Sequence, residues 1–374
     1  MRRKIVSAGH ICLDITPAFL HGAPEGIGKV LTPGQLVQTG AADIHTGGSV
    51  ANTGLALRFF GAETVLMGKV GDDAFGAIVQ DLLAPYGANM RVAEGEATSY
   101  SVVLAVPGCD RIFLHHSGAN DSFTADDLDY AAIADACLFH FGYPTIMCGM
   151  FDNGGAALTE IFRRVKVLGT ATSMDMAAID VKSPAGQADW DGILRRTLPY
   201  VDFFVPSVEE LLYMLDKPKL EALSARVGGD VTEALSIQDD IVPLAAKALS
   251  YGAGVVLIKC GARGLYVAAG CSARLADIGG GLGADLAGWC DMRHFEASFM
   301  PEKVVSATGA GDTCIAAFLV AVTQGLTLRE CAAMAAAAGA CCVTAYDALS
   351  GLIPFEKMRA KMAAGWEKRV EYSV

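Results

Sequence analysis

The chain has 374 residues and a mass of 39.0 kDa, with 52% hydrophobic and 19% charged residues; this excludes a disordered chain and leaves one large α/β domain or two modest ones. The formal net charge is −12 and no basic block interrupts it, which argues against a nucleic-acid partner. The 11 cysteines form no CxxC pair, Asp14 cuts short the apolar run behind the basic start, and no window is long and uncharged enough to span a bilayer. The expectation is a cytoplasmic protein in a reducing compartment, with no signal peptide and no membrane partner.

Short β-like runs alternate with longer helical ones. In chain order the pattern predicts a strand from Lys4 to Ala8, a helix over Val50–Phe60 stopped by Gly61, a strand over Thr64–Val70, and a helix over Asp73–Tyr86 ended by Gly87. Strands follow at Ala136–Phe141, Ala171–Met176 and Tyr200–Val205, with helices at Ala156–Leu168 and Val208–Leu215. A helix over Asp240–Ser250 feeds a strand over Gly254–Lys259. Helices at Thr313–Thr323 and Leu328–Thr344 precede an amphipathic closing helix over Pro354–Val370, and the alanine-rich stretch Cys331–Tyr346 suits close helix packing. Repeated βα units with nearly continuous apolar strands imply a doubly wound, mostly parallel sheet with helices on both faces.

One part breaks the alternation. Thr98–Val106 and Arg111–His116 are β-like runs joined by Pro107-Gly108-Cys109-Asp110, a hairpin signal, and Ile15–Gly40 has Pro and Gly but little helical period. Together they suggest a small β-sheet lid over 15–40 and 98–120, beside an α/β domain formed by 1–14, 41–97 and 121–374.

The stretch Val304–Val320, VVSATGAGDTCIAAFLV, places small residues at the mouth of an apolar helix. A loop without bulky side chains lets the backbone approach a ligand, and the free amides and dipole of a helix N-terminus make an anion site. Asp312 at that mouth could accept a hydroxyl proton while the amides of Gly309, Ala310 and Gly311 take up charge on a phosphoryl group, or it could simply cap its own helix. A second stretch, His45–Gly76, sets Gly47-Gly48 before a helix with Asn52 in its first turn, whose amide offers two donors and an acceptor to a polyol; a plain turn is the alternative.

In order and separation these two stretches resemble the signature regions of the ribokinase-like (PfkB) carbohydrate kinase family. The resemblance extends to Gly9 and Asp14, the hairpin ending SGAN at Ser117–Asn120, VDFFVPSVEEL at Val201–Leu211 and IKCGARGLYV at Ile258–Val267. It implies an ATP-dependent, magnesium-requiring kinase acting on a hydroxyl of a sugar or sugar-like substrate, with Asp312 as base and Gly309, Ala310 and Gly311 as anion hole. It further implies substrate contacts at Asp14, Gly47, Gly48 and Asn52, a nucleotide side at Ser207, Lys259, Gly261 and Gly264, and Glu210 organising magnesium through water. Asp14 could instead cap the chain after its strand, Glu210 could be solvated helix surface, and Gly261 and Gly264 could serve a β-hairpin.

The sequence departs from the family where Ser306-Ala307 replaces a common Asp-Thr, and where Ser207 replaces a common Asn. The first leaves monovalent-cation activation open, the second the details of phosphate contact. Asp180–Asp189 and Gly270–His294 read as longer or more glycine-rich than in a minimal family member; GGGLGAD (Gly279–Asp285) lacks a clean βαβ unit and GIGKV (Gly26–Val30) lacks the rest of a P-loop, so both read as loops. No histidine pair has metal spacing, and if the strand alternates one of His115 and His116 faces the cleft. Three readings follow: a sugar kinase, a nucleoside kinase of the same family, or a sugar sensor without turnover. An apolar outer face of the lid would favour a homodimer through lid contacts.

Overall fold

The computed structural model describes residues 4–22, 26–108, 111–227 and 230–369. Its strands in chain order are β1 (Lys4–Gly9), β2 (Cys12–Phe19), β3 (Thr39–Gly47), β4 (Glu63–Gly71), β5 (Asn89–Ala93), β6 (Tyr100–Leu104), β7 (Ile112–His116), β8 (Leu138–Gly142), β9 (Ala171–Met174), β10 (Phe203–Phe204), β11 (Val255–Lys259), β12 (Gly264–Ala269) and β13 (Arg293–Ala297). They form a nine-stranded sheet in the order β13-β12-β11-β10-β9-β8-β1-β4-β5 and a separate four-stranded sheet in the order β3-β2-β6-β7.

From β5 to β11 the large sheet is parallel, and β12 and β13 add an antiparallel edge. Its central strands are buried on both faces, so their side chains divide between two layers. Phe139 and Phe141 of β8 pack with Phe162 and Trp190 on one side, while Leu138 joins Phe203, Phe318 and Trp289 on the other. The second layer is closed by the apolar helix Ala310–Thr323 and the alanine-rich Leu328–Cys342, whose small side chains bring the two helices close. The chain moves from β1 to β4 and β5 on one side and to β8 through β11 on the other. The order therefore reverses between β1 and β8, and a crevice opens there at the carboxyl ends of the strands.

The expected elements are present with shifted ends. The helix Val208–Leu215 matches its expectation, β10 is shorter than expected, and the helix behind the glycine loop starts at Ala310 rather than Thr313. The closing helix is a correction: it spans Phe355–Ala363, not Pro354–Val370. Gly365 takes φ 88°, a conformation that stops the helix, and Trp366 turns back to lie 4.9 Å from the Phe299 ring. Residues 367–369 then pair with 298–300, covering the chain that leaves edge strand β13; Val370 lies outside the described residues. GGGLGAD holds a short 3-10 turn (Gly280–Leu282) that lies between the helix Ser272–Ala276 and a second 3-10 turn (Ala287–Trp289) rather than between a strand and a helix, and GIGKV holds another (Ile27–Lys29), so both are connecting loops.

The four-stranded sheet is the lid. β6 and β7 pair antiparallel as the hairpin signal implied, although Cys109 and Asp110 of its turn lie outside the described residues. β2 and β3 reach beyond 15–40 on both sides, because Asp14 pairs with His45. The pairings His45–Asp14, Asp14–Ser101 and Ser101–His115 line up one polar row across all four strands. The next row, Ile44–Ile15–Val102–Leu114, lies on the opposite face, as the two-residue period of a strand requires. Ile44, Leu114 and Ile112 of that face are 46%, 53% and 40% exposed.

Candidate active site

Each parallel strand near the crevice hands over to a polar residue at its carboxyl end. β1 leads into His10, β8 into Tyr143 and β9 into Asp175; β10 is followed by Ser207, and β11 ends on Lys259. The helix Ala310–Thr323 aims its N-terminus at the same place, with Gly309 at φ 74° before it and Asp312 in its first turn.

Asp312 is 4% exposed, and neither carboxylate oxygen caps its own helix. The Thr53 hydroxyl donates to Oδ1 at 2.8 Å and the Tyr143 hydroxyl to Oδ2 at 2.7 Å. Burial raises the carboxyl above its ordinary range, and Tyr143, Thr53, Lys259 and Asn52 pull the other way. The result is a desolvated but ionisable carboxyl group at a helix N-terminus.

Beside it Lys259 Nζ donates to Asp175 Oδ1 at 2.7 Å. Burial pushes Asp175 up to about 8 against the pull of Lys259, with Glu210 and Asp312 adding to the rise. Burial also pulls Lys259 down, but Asp175, Glu210 and Asp312 more than offset it, so the ammonium stays charged. A Cβ built on Gly311 would stand 3.5 Å from Lys259 Nζ, which places that charge against the glycine loop. His140 of β8 is held neutral, pulled down to about 3 by burial and then by Lys259.

Ser207 and Glu210 form a reciprocal cap: Glu210 Oε2 accepts from Ser207 N at 2.7 Å, and Ser207 Oγ accepts from Glu210 N at 3.2 Å. The cap places Glu210 Oε2 toward the end of β10, where Ser207 bridges Lys259. Gly261 and Gly264 lie at the β11–β12 turn, where a Cβ on Gly264 would meet the Glu296 carbonyl at 2.1 Å. That close approach to β13 accounts for Gly264 as a hairpin residue.

On the other side of the crevice the lid's polar row comes down on the end of β1. A Cβ on Gly47 would stand 2.1 Å from Asp14 Oδ2, and one on Gly48, at φ 83°, would stand 2.6 Å from His10 Nδ1. The two glycines are what let Asp14 and His10 pack against that loop. Asp14 is raised by burial, opposed by Cys12, His45 and Ser101. His10 is buried and held neutral by burial and by the neighbouring His115, whose ring lies 5.1 Å away, and its Nδ1 has no hydrogen-bond partner among the described residues. His115, not His116, is therefore the cleft-facing histidine of the hairpin. Asn52 lies in the first turn of Ser49–Phe59, close to Asp312.

The chain matches the model of the pfkB family of carbohydrate kinases over residues 4–354. It belongs to that family. It is similar to an Arabidopsis thaliana ribokinase, 23% identical over 332 residues that cover 85% of this chain and 72% of the relative. Among solved structures, an Arabidopsis thaliana ribokinase complexed with ribose and ATP aligns with TM-score 0.67 at 21% identity, covering 96% of this chain and 98% of that one. A Burkholderia thailandensis nucleoside kinase in complex with inosine aligns with TM-score 0.64 at 16% identity, covering 97% and 99%. These likenesses establish the family fold and its lid.

Asp312, the glycine loop, Lys259 and Asn52 thus meet at one crevice, with Asp14, Gly47 and Gly48 on its lid side. Thr53, Tyr143, Asp175 and His10 also stand there, and the sequence reading singled out none of them. One signal was available: each of the last three is a polar residue just past the carboxyl end of an apolar strand.

Proposed function

We propose that the protein transfers the γ-phosphoryl group of ATP to a hydroxyl, a primary CH2OH in the simplest case, of a neutral sugar or sugar-like acceptor. The observation that carries this is the buried Asp312 carboxylate, hydrogen-bonded to two other elements and set in the first turn behind Gly309–Gly311. In this reading the acceptor hydroxyl gives its proton to Asp312 as its oxygen bonds to phosphorus and the bond to ADP breaks. The amides of Gly309, Ala310 and Gly311, with Lys259 behind them, balance the charge on the phosphoryl group. Ser207, Gly261 and Gly264 lie on the nucleotide side. A non-catalytic sugar sensor would have no use for a desolvated base at an anion site.

Asp14, Gly47, Gly48 and Asn52 bind the acceptor. Asp14 is a carboxylate, and His10 and His115 are neutral imidazoles, so the groups facing the acceptor suit hydroxyls rather than a second anion. Arg111, on the same lid face by alternation, is engaged by Ser306 Oγ and the Tyr346 carbonyl. A nucleoside acceptor has one specific feature in its favour: Phe113, also on the cleft-side face, is 52% exposed and offers a flat ring. An ADP-release screen tests the class: turnover is highest with neutral sugars, and a clear preference for sugar acids or nucleosides would overturn the assignment.

Magnesium accompanies the nucleotide. Among the described residues no group of three or more His, Cys, Asp and Glu side chains could hold a metal ion, so the ion would take most of its ligands from phosphate and water, with Glu210 oriented by its cap. Glu210→Gln keeps a capping side chain and removes the charge. It is expected to raise the magnesium concentration that gives half-maximal rate, whereas an unchanged magnesium profile would leave Glu210 as a cap only.

The outer row Ile44–Ile15–Val102–Leu114, exposed at Ile44 and Leu114 and partly buried between them, is the surface through which two lids would pair. Light scattering at micromolar concentration should give a dimer for the wild type and a monomer for Leu114→Asp; a monomeric wild type would refute the pairing.

A further inference from the structure

Tyr143 is an unusual residue at an unusual place. It follows Gly142 at the carboxyl end of β8, beside the point where strand order reverses. Its backbone takes φ 66° and ψ 40°, the left-handed region that a side chain with a Cβ adopts only at a cost. Among the described residues the other non-glycine positions with positive φ are Asn153 and Asp291, so Tyr143 is the aromatic exception. Strain of this kind persists where the surroundings over-determine it, and it clusters at functional sites. Here the strained backbone turns the ring back into the crevice. The hydroxyl reaches Asp312 Oδ2 at 2.7 Å, and the ring lies 6.1 Å from that of His10, which in turn faces His115 of the lid.

We propose that Tyr143 is a positioning residue for phosphoryl transfer, its hydroxyl fixing the Asp312 carboxylate in the orientation that receives the acceptor's proton. The proposal rests on the reading of Asp312 as the base. Thr53 and Asn52 hold the carboxylate from the helix Ser49–Phe59, and Tyr143 donates to Oδ2 from the far side of the crevice, so that the carboxylate is gripped from both walls. Burial and then Asp312 raise the phenol well above its ordinary range, so it remains a hydrogen-bond donor throughout the neutral range. The other groups around the carboxylate are Asn52 and Thr53 from the helix Ser49–Phe59, Lys259 from β11, Asp175 beyond β9, and the thiols Cys314 and Cys342 of the two packed helices.

Tyr143→Phe keeps the ring and the Cβ and removes only the donor. Turnover is expected to fall about tenfold, the scale of one hydrogen bond to a charged group, with KM for ATP little changed. The acid limb of the kcat–pH profile moves to higher pH, because the donor opposes the rise that burial imposes on Asp312. A space-filling tyrosine predicts otherwise: an unmoved acid limb, whether or not kcat falls, overturns the proposal. An inactive Asp312→Asn alongside an unaffected Tyr143→Phe would refute the tyrosine's role and leave the base assignment standing, whereas an active Asp312→Asn would refute the base itself. Melting curves are recorded for each variant. Should Tyr143→Phe not fold, 3-fluorotyrosine at position 143 preserves the shape and donates more strongly, so the acid limb moves to lower pH; a limb that stays in place is then the overturning result.

Discussion

A carboxylate removed from water is the constraint around which the crevice is organised. Taking an ion the size of Asp312 out of solvent costs several kcal/mol even after relaxation, and the cost is offset only where hydrogen-bond donors and positive charge converge. In this chain they come from distant segments: Thr53 behind the lid strands, Tyr143 after β8, Lys259 from β11, and the amides at the start of the carboxylate's own helix. None of these elements can shift without leaving a charge or a donor unsatisfied. The same donors that stabilise the carboxylate border the space where a second anion, a phosphoryl group, would be received.

The topology explains why such convergence is available at this place. Parallel strands point all their carboxyl ends one way, and the reversal between β1 and β8 separates the helices that follow, so the crevice has two walls. One wall carries Lys259, Asp175, Ser207 and Glu210, and the other carries His10 and Asn52 under the lid. The lid follows from a simpler rule. Strand alternation puts His45, Asp14, Ser101 and His115 on the cleft side and Ile44, Ile15, Val102 and Leu114 on the outside. A one-residue slip in register would exchange the two faces.

Much of this was legible in the sequence because its signals are local. Apolar strands, helix periods and the bare TGAGD loop are short-range features, and each corresponds to an element near its expected position. Ser207 and Glu210 carried a further local signal, the S-x-x-E spacing of a capping box, which accounts for where Glu210 points. The closing helix was over-extended because its apolar period runs on past Gly365, while the fold uses Trp366 to cover Phe299. Tyr143, Thr53 and Asp175 escaped for a different reason. Thr53 lies 259 positions from Asp312 and Tyr143 lies 169, so their roles exist only once the sheet has brought the strand ends together. No propensity or spacing marks a tyrosine in the left-handed region.

Turnover of Asp312→Asn measures the central claim most directly. Asparagine preserves the shape, and removes the basicity. If the carboxylate takes the acceptor's proton, the variant melts like the wild type, binds ATP with similar affinity and loses about 10²–10⁴-fold in turnover. Retention of more than about a tenth of the wild-type rate, well above what loss of a general base allows, would contradict the account.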